Sequence, residues 1–436
     1  MSTQSISACG NIFRPDKDGF NFSFIFLKVI YTKLDQSKIN IGMVGHVDHG
    51  KTSLAEALSG IWTDQHSEEI KRGISIRLGY ADCEFYKCQK CNGSDAYSTR
   101  NTCPNCGSKT KFLRKISLVD SPGHGTLMAT MLSGAAIMDG AILVIAANEP
   151  CPQPQTAEHL EALNIRGVKK IVVAQNKIDL VSKKEAIENY EQIKKFTHNS
   201  VAKDAPIIPI AAHYGANIDV LIETIEGVIS TPKRDNNGHY PLMYIARSFD
   251  INRPGMEIKN IKGGVIGGSI IEGEFKIGDE IEIRPGVKRE KRYEPLHTRI
   301  VSLNAGGGKL DKVKTGGLIA MGTTLDPSLT KSDGVIGNVV GLKDEIPDVY
   351  SKLNLEIHLL NRLVGSEEEL EIKPLIPGEQ LMLSVGTAVT SGKIKDVKKG
   401  GIELTLPVCA RKEQRVAISR KIGMRWRLIG YGVVKG

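Results

Sequence analysis

Short apolar runs alternate with stretches of helical periodicity in the first half of the chain. Five runs are typical of strands covered on both faces, at residues 39–45, 116–120, 141–148, 170–176 and 206–212. Segments 52–60 and 154–167 between them have the spacing of helices. Because strands and helices alternate, we predict an α/β domain at residues 38–235 with a doubly wound, mostly parallel sheet.

Glycine-punctuated strands replace this pattern after residues 231–241. Helical periodicity fades, and segments such as GGVIGGSIIEGEFKIGDEIEIRPG and QLMLSVGTAV read as short strands separated by turns. We therefore predict two β-barrel domains, at residues 236–346 and 347–436.

Residues 1–37 fit neither pattern, and we predict a disordered N-terminal extension, with a docked strand as the alternative. The apolar stretch NFSFIFLKVIY within it is interrupted by Lys28. It is also shorter than the roughly 20 apolar residues that a membrane helix needs. No other run approaches that length, so we expect no membrane partner and a cytoplasmic protein.

The chain carries a formal net charge of +9 with a pI near 9.0. Such a charge fits an acidic partner, of which nucleic acid is the commonest, but solubility alone explains it equally well. Basic runs KREKRYEP, ARKEQRVAISRK and RWR lie in the predicted barrels. They could contact RNA phosphates, and a solvated surface is the alternative for each.

Four of the eight cysteines form two pairs, Cys88-x2-Cys91 and Cys103-x2-Cys106. Glycines follow both pairs closely, as in turns that each offer two thiolates to one tetrahedral zinc. Four thiolates leave no open position, so we predict a structural zinc knuckle inserted at residues 83–112. The knuckle could serve as a docking surface or only staple its loop. Cysteine use of this kind indicates a reducing compartment.

A phosphate-binding loop, GHVDHGKT, joins the first predicted strand to the first helix. Its N–H groups and the helix N-terminus would surround phosphates, and glycine permits the close approach. Lys51 would reach the β- and γ-phosphates, while the Thr52 hydroxyl would bind Mg²⁺. The predicted nucleotide contacts here are Gly45, Asp48, His49, Gly50, Lys51, Thr52 and Ser53.

Two further motifs follow at strand ends. In DSPGH, Asp120 would hold the magnesium through water, and Gly123 would offer its N–H to the γ-phosphate. In NKID, Asp179 would accept both N–H donors on the edge of guanine, which adenine does not present. Asn176 would tie the base to the phosphate loop, and Lys177 would lie against the base. Together the three motifs predict that the nucleotide is GTP.

A switch segment is expected between the first two motifs, in KRGISIRLGYA. The Ser75 hydroxyl could complete the magnesium shell only while the γ-phosphate is present, which would order the segment before hydrolysis and loosen it afterwards. An exposed loop serine is the alternative.

These motifs resemble those of the translational GTPases. GHVDHGKT, RGIS, DSPGH and NKID carry the general likeness. Longer stretches, including SGIWTDQHSEEIKRGISIRLGYA, LDPSLTKSD and ISRKIGMRWRLIGYG, resemble the gamma subunits of archaeal and eukaryotic translation initiation factor two, the archaeal ones more nearly. The resemblance covers residues 38–436.

The resemblance implies GTP-dependent binding of methionyl initiator tRNA and its delivery to the small ribosomal subunit, in a heterotrimer with alpha and beta subunits. Hydrolysis of GTP to GDP and phosphate would act as the release switch. The aminoacyl end of the tRNA would lie between the nucleotide domain and the first barrel. A zinc knuckle is also implied.

For the site, the resemblance implies that His124 positions the attacking water beside an apolar gate of Val47 and Ile74. Asp48 and the Gly73 carbonyl become candidates for a further cation site, in addition to the Mg²⁺ ligands Thr52, Ser75 and Asp120. The guanine-side pattern would be Ala211, Ala212 and His213, acting mainly through backbone N–H groups.

The sequence departs from the family at two positions near the phosphates. Ser75 stands where threonine is usual, and Gly125 stands where an acidic residue usually follows the histidine. The serine keeps the hydroxyl but loses the stiffening methyl group. Gly125 puts the orientation of His124 in question. No arginine is clearly placed as a finger, so intrinsic hydrolysis should be slow.

Two rival functions remain at this stage. An elongation-type or selenocysteine-specific tRNA carrier shares the GTPase motifs, but the cysteine pairs and IWTDQHSEE argue against it. A sulfate-activating or metabolic enzyme on the same core would need an additional catalytic domain, for which the chain has no room.

Overall fold

A computed structural model describes residues 36–63, 77–124, 127–234, 240–290, 292–365 and 370–435. Several predictions from the sequence fall outside these ranges: most of the N-terminal extension, the switch residues Gly73, Ile74 and Ser75, and Gly125. The first described residues, Gln36 and Ser37, already make contacts. The Gln36 side chain bonds to the backbone of Lys314 and Gly316, in the barrel that follows.

A seven-stranded mixed sheet forms the N-terminal part of the structure. Its strands are β1 (Asn40–Val44), β2 (Gly79–Cys88), β3 (Tyr97–Ser98), β4 (Thr110–Asp120), β5 (Gly140–Ala146), β6 (Ile171–Asn176) and β7 (Ile207–Pro209). They lie in the order β3-β2-β4-β1-β5-β6-β7. The five strands from β4 to β7 in this order are parallel, whereas β2 and β3 are antiparallel.

Helices cover both faces of this sheet, which confirms the doubly wound prediction. They are α1 (Lys51–Ser59), α2 (Met128–Ala135), α3 (Pro154–Arg166), α4 (Lys183–Thr197) and α5 (Ile218–Val228). Helices α1 and α5 bury Leu54, Leu58 and Leu221 on one face. Helices α2, α3 and α4 bury apolar side chains against the opposite face. Short 3-10 helices span Gly93–Ala96, Ile178–Leu180 and Ala212–Tyr214.

The hairpin of β2 and β4 is longer than the sequence indicated. Strand β4 begins at Thr110, six residues before the predicted apolar run at 116–120, and β2 was not predicted. Polar residues alternate with buried ones along much of β2, because only one face of this antiparallel extension is covered. The cysteine-rich segment lies at the far end of the hairpin.

Two closed six-stranded β-barrels follow, as predicted. The first consists mainly of β8 (Leu242–Phe249), β9 (Val265–Glu272), β11 (Glu280–Arg289), β12 (Arg292–Ala305), β15 (Ile319–Thr323) and β16 (Val339–Leu342), and it closes where β11 pairs with β12. Shorter elements in it are β10 (Glu274–Lys276), β13 (Gly308–Leu310), β14 (Lys312–Lys314), α6 (Pro327–Thr330) and 3-10 turns at Ile258–Asn260 and Lys331–Asp333.

The second barrel has the closed order β17-β20-β19-β18-β21-β22. Its strands are β17 (Val349–Leu359), β18 (Gln380–Val385), β19 (Ala388–Asp396), β20 (Gly401–Cys409), β21 (Arg415–Ile422) and β22 (Arg425–Val434). Each barrel has its own buried aliphatic cluster. These separate cores explain why the glycine-rich, alternating sequence forms two barrels rather than one.

Polar contacts dock both barrels on the mixed-sheet domain. The Arg166 guanidinium, at the end of α3, donates to the carbonyls of Ser384 and Gly386 in the second barrel at 3.3 and 3.1 Å. In the first barrel, Ser269 accepts a hydrogen bond from the Asn40 amide at 2.8 Å. Among the described residues, no helix is long and apolar enough to cross a membrane.

Candidate functional site

Two glycines set the path of the turn between β1 and α1. Gly45 has φ +143° and Gly50 has φ +86°, both in the region that favours glycine. A Cβ on Gly45 would lie 2.2 Å from the Val144 carbonyl oxygen, and one on Gly50 would lie 2.3 Å from the Asn176 side chain. The turn is therefore pressed against β5 and β6, and only glycine fits at either position.

Side chains from other elements hold this turn in place. The Gly45 N–H donates to Nδ1 of His159 on α3 at 3.0 Å. Nδ1 of His49 lies 3.1 Å from the Val144 carbonyl oxygen. Burial lowers the pKa of His49 to about 3, so its imidazole is neutral and Nδ1–H can donate to that carbonyl. The turn thus has a fixed shape through contacts within the protein.

Oxygen atoms that could bind a magnesium ion meet at the start of α1. The parallel pairing of Met43 with Asp120 brings the end of β4 beside the end of β1. Oδ2 of Asp120 accepts hydrogen bonds from the hydroxyls of Thr52 at 2.9 Å and Thr63 at 2.6 Å. A carboxylate and hydroxyls next to a phosphate-binding turn suit Mg²⁺, which prefers oxygen ligands. Sequence reasoning did not single out Thr63.

The loop after β4 lies directly against the phosphate-binding turn. A Cβ on Gly123 would be 2.6 Å from both Nζ of Lys51 and the backbone N of Val47. The buried Lys51 ammonium group donates to the His46 carbonyl at 2.5 Å. His124 follows Gly123 and is half-buried. The structure therefore brings His124 and Val47 into one region, while Ile74 lies outside the described residues.

A second group of residues gathers around Asn176 at the end of β6. Its amide donates to the His49 carbonyl at 2.9 Å, and its Oδ1 accepts the Ala212 N–H at 3.0 Å. Lys177 has φ +63° and turns the chain into the short helix that carries Asp179, which is exposed. Asn176 thus joins the predicted base-binding loops to the phosphate loop.

The remaining predicted contacts lie close in sequence to these anchors. Ser53 is half-buried in the first turn of α1, and Asp48 is exposed with φ +59°. Ala211 and Ala212 are buried beside Asn176, whereas His213 is exposed. Gly73 and Ser75, predicted as cation ligands, lie outside the described residues, so their roles stay predictions.

The four paired cysteines converge at the end of the β2–β4 hairpin, and their sulfur atoms all lie within 4.8 Å of one another. Sγ of Cys88 is 3.5 Å from Sγ of Cys106, and Sγ of Cys91 is 3.7 Å from Sγ of Cys103. Four thiolates bound at about 2.3 Å around a tetrahedral zinc would lie about 3.8 Å apart. The cluster is therefore compatible with zinc.

Two thiols of this cluster differ in acidity. Hydrogen bonds from Ser108 lower the pKa of Cys106 to about 6. Hydrogen bonds with Cys106 and Cys103 raise the pKa of Cys91 to about 12. A cation at the centre would favour the thiolate form of each, as metal-binding cysteines require.

His159 is the clearest residue that sequence reasoning missed. It is 1 % exposed on α3 and reaches the phosphate-binding turn across 114 residues of sequence. A buried histidine in a helical segment gives no local sign of such a contact. Pairing it with the turn requires knowing that α3 packs beside β1.

The basic runs of the second barrel mostly contact protein. Arg411 pairs with Glu272, Arg420 with Glu379, and Arg427 with the buried Glu158 of α3. Arg415 donates to the Ile165 carbonyl. These arginines hold strands and domains together. The sequence analysis had considered only contact with RNA phosphates or a solvated surface for them.

Two known protein families match parts of the chain. The family described as "Elongation factor Tu GTP binding domain" matches residues 36–231. The family described as "Initiation factor eIF2 gamma, C terminal" matches residues 351–434. These matches cover the mixed-sheet domain and the second barrel.

Relatives match along most of the chain. Translation initiation factor 2 subunit gamma of Methanocaldococcus jannaschii is 61 % identical over 407 residues, which cover 92 % of this chain and 98 % of the relative. The Pyrococcus furiosus protein of the same name is 57 % identical over 409 residues, with 92 % and 98 % coverage.

Among solved structures, a bacterial selenocysteine-specific elongation factor, EF-Sec, has a similar fold, with a TM-score of 0.68 and 25 % identity. The likeness covers 91 % of this chain but only 58 % of that factor. Its sequence identity is far lower than that of the initiation factors, which match over nearly their whole length. The chain belongs to the family of gamma subunits of translation initiation factor 2.

Proposed function

We propose that this chain binds methionyl initiator tRNA when loaded with GTP, delivers it to the small ribosomal subunit, and releases it after hydrolysing GTP to GDP and phosphate. One observation carries this proposal: a phosphate-binding turn held by His159 and Asn176 lies in a chain that is 61 % identical to a translation initiation factor 2 gamma subunit. The turn supports the nucleotide-binding part of the proposal, and the family membership supports the role in carrying initiator tRNA.

For nucleotide binding, the proposed roles follow the contacts around the turn. The N–H groups between Asp48 and Ser53 would surround the phosphates, and Lys51 would neutralise their charge. Thr52 and Asp120, whose oxygens are 2.9 Å apart, would hold Mg²⁺. Asp179 would select guanine by accepting its two N–H donors.

For hydrolysis, we assign His124 the task of orienting the attacking water. It stands beside Gly123 and near Val47, which would exclude other water molecules from the γ-phosphate. Ser75 would join the magnesium shell only in the GTP state, and Asp48 with the Gly73 carbonyl would hold a further cation. Because a water-positioning residue alone gives limited acceleration, a partner should supply the rest.

The cysteine cluster is proposed to hold one structural Zn²⁺ ion through Cys88, Cys91, Cys103 and Cys106. We assign it no step in hydrolysis, since four thiolates leave no position for water. The partners proposed for the chain are the alpha and beta subunits of the same factor and the small ribosomal subunit, in the cytoplasm where translation occurs.

Selectivity among aminoacyl-tRNAs tests this proposal. Equilibrium binding at fixed salt would compare methionyl initiator tRNA, methionyl elongator tRNA and selenocysteinyl-tRNA, each with a non-hydrolysable GTP analogue. The expected result is preference for the initiator tRNA, alone or after addition of the alpha and beta subunits. Preference for the selenocysteinyl or elongator tRNA under both conditions would favour the elongation-type alternative and reject the proposal.

A further inference from the structure

Helix α3 lies between the phosphate-binding turn and the second barrel, and two adjacent side chains on it point to these two neighbours. Nδ1 of His159 accepts the Gly45 N–H at 3.0 Å in a buried hydrogen bond. The preceding residue, Glu158, is 2 % exposed and pairs with Arg427 of the second barrel. The helix therefore touches the nucleotide site directly.

The Gly45 N–H depends on this imidazole. Gly45 is the first residue after β1, and its N–H is buried where the chain leaves the sheet. A backbone N–H that is buried without a hydrogen-bond acceptor destabilises the conformation that buries it. His159 supplies the acceptor, so it stabilises the particular path by which the turn leaves the strand.

The imidazole has the charge state that this contact requires. His159 is completely enclosed, and burial together with nearby Lys51, His46 and His49 lowers its pKa to about 3. It is therefore neutral at physiological pH, with its proton on Nε2 and a lone pair on Nδ1. A protonated imidazole could not accept the Gly45 N–H.

The second barrel fixes the helix that carries this imidazole. Besides the Glu158 pair, Arg166 donates to two carbonyls of the barrel, and Arg415 donates to the Ile165 carbonyl at 3.3 Å. These contacts join the middle and the end of α3 to the second barrel. The helix that carries the acceptor for Gly45 is thus fixed by the second barrel as well as by the core of its own domain.

We propose that His159 is a positioning residue for nucleotide binding. By holding the start of the turn, it orders the following N–H groups so that they converge on the phosphates before the nucleotide arrives. The proposal rests on the GTP-binding part of the proposed function, and it does not depend on which tRNA the protein carries.

Two nearly isosteric substitutions test the proposal. His159→Asn retains an acceptor close to the position of Nδ1, whereas His159→Leu removes it. Equilibrium and stopped-flow measurements with fluorescent GDP and GTP analogues would give affinity and dissociation rate. We expect His159→Leu to weaken both nucleotides about 10-fold, mainly through faster dissociation, and His159→Asn to remain within about 3-fold of wild type.

A matched control separates positioning from loss of stability. Leu163→Ala removes a buried side chain one turn farther along the same helix and should lower the Tm while leaving nucleotide affinity unchanged. If His159→Leu yields no folded protein, His159→Gln takes its place. The glutamine amide lies one carbon farther from the backbone than that of asparagine and so misses the position of Nδ1. We expect this variant to bind nucleotide at least about 5-fold more weakly than wild type.

The proposal is overturned if the variants that lack an Nδ1-like acceptor bind nucleotide as wild type does, or if affinity follows the Tm in all variants including Leu163→Ala. Wild-type protein measured alongside keeps this failure distinct from failure of the proposed function. If wild type does not bind GTP, the nucleotide assignment itself is wrong. If it does bind, only the role of His159 is in question.

Discussion

The phosphate-binding turn and the cysteine cluster lie at opposite ends of the same pair of strands, but different contacts hold them together. At one end of the β2–β4 hairpin, Gly79 pairs with Asp120 beside the nucleotide site, and at the other end Cys88 pairs with Thr110. At about 3.3 Å per residue, a ladder of this length separates the two sites by about 30 Å.

The rest of the protein holds the turn in place: the turn donates hydrogen bonds to α3 and β5 and accepts one from β6. The cysteines are held by their own hairpin and two short turns, and their sulfur atoms lie at separations of 3.5 and 3.7 Å. Four thiolates this close would repel one another unless a cation lay between them. The fold therefore organises the phosphate-binding turn, whereas we expect a bound cation to organise the cysteine cluster. We therefore expect that either site can be disabled by mutation while the other keeps its ligand.

The largest effect on nucleotide binding is expected from Lys51→Met. Loss of the ammonium group that would neutralise two phosphates should weaken GTP and GDP about 1000-fold. Zinc content should not change, since the cluster lies at the far end of the hairpin. Titration with a fluorescent nucleotide and metal analysis of the same sample measure both, with the exposed Lys184→Met as control. Loss of zinc together with nucleotide affinity would show that the two sites depend on each other.

Asp179→Asn should weaken GTP binding about 100-fold, because an amide cannot accept both N–H donors of guanine as a carboxylate does. Competition with unlabelled GTP checks this, and replacing the neighbouring exposed Leu180 with Ala provides the control. Unchanged GTP affinity would mean that this residue does not read the base.

Asn176→Ala should weaken guanine nucleotides about 10-fold. The substitution removes the two hydrogen bonds, at 2.9 and 3.0 Å, that join the phosphate loop to the Ala212 loop. The effect is smaller than for Lys51 or Asp179 because Asn176 carries no charge that would contact the nucleotide. Calorimetric binding of GDP measures the effect. Asn164→Ala, at an exposed position on α3, should bind GDP normally. Equal binding by both variants would show that the turn keeps its shape without this link.

Replacement of the proposed zinc ligands should have the smallest effect on nucleotide binding. Replacing Cys91 and Cys103 by Ser should abolish zinc binding and lower the Tm, because the knuckle loses the ion that unites its two turns. GTP affinity should stay within about twofold of wild type, given a separation of about 30 Å. Cys151→Ser, outside the cluster, should retain zinc. A loss of GTP affinity as large as that of Asn176→Ala would contradict the separation of the two sites.

Local sequence patterns were enough to predict most of the fold and to select many of the candidate site residues. The five parallel strands stood out because each lies in a largely apolar run, and the cysteine pairs stood out because the two cysteines of each pair are close in sequence. Strands β2 and β3 were missed because polar residues interrupt them and only one face is covered.

Contacts between distant elements were the part that sequence reasoning could not supply. His159 meets Gly45 over 114 residues and Thr63 meets Asp120 over 57 residues. Arg427 looked like a solvated or RNA-facing residue, yet it pairs with Glu158 on another domain, 269 residues away. In each case the side chain acquires its role from packing, and its immediate sequence gives no sign of it.

The most direct measurement of the central claim is the ratio of two dissociation constants. Methionyl initiator tRNA would be titrated at fixed salt into the factor assembled with its alpha and beta subunits, once with a non-hydrolysable GTP analogue and once with GDP. We expect at least about 10-fold tighter binding with the GTP analogue, a coupling within the usual range for two linked sites. Equal affinity in the two nucleotide states would contradict a GTP-controlled carrier.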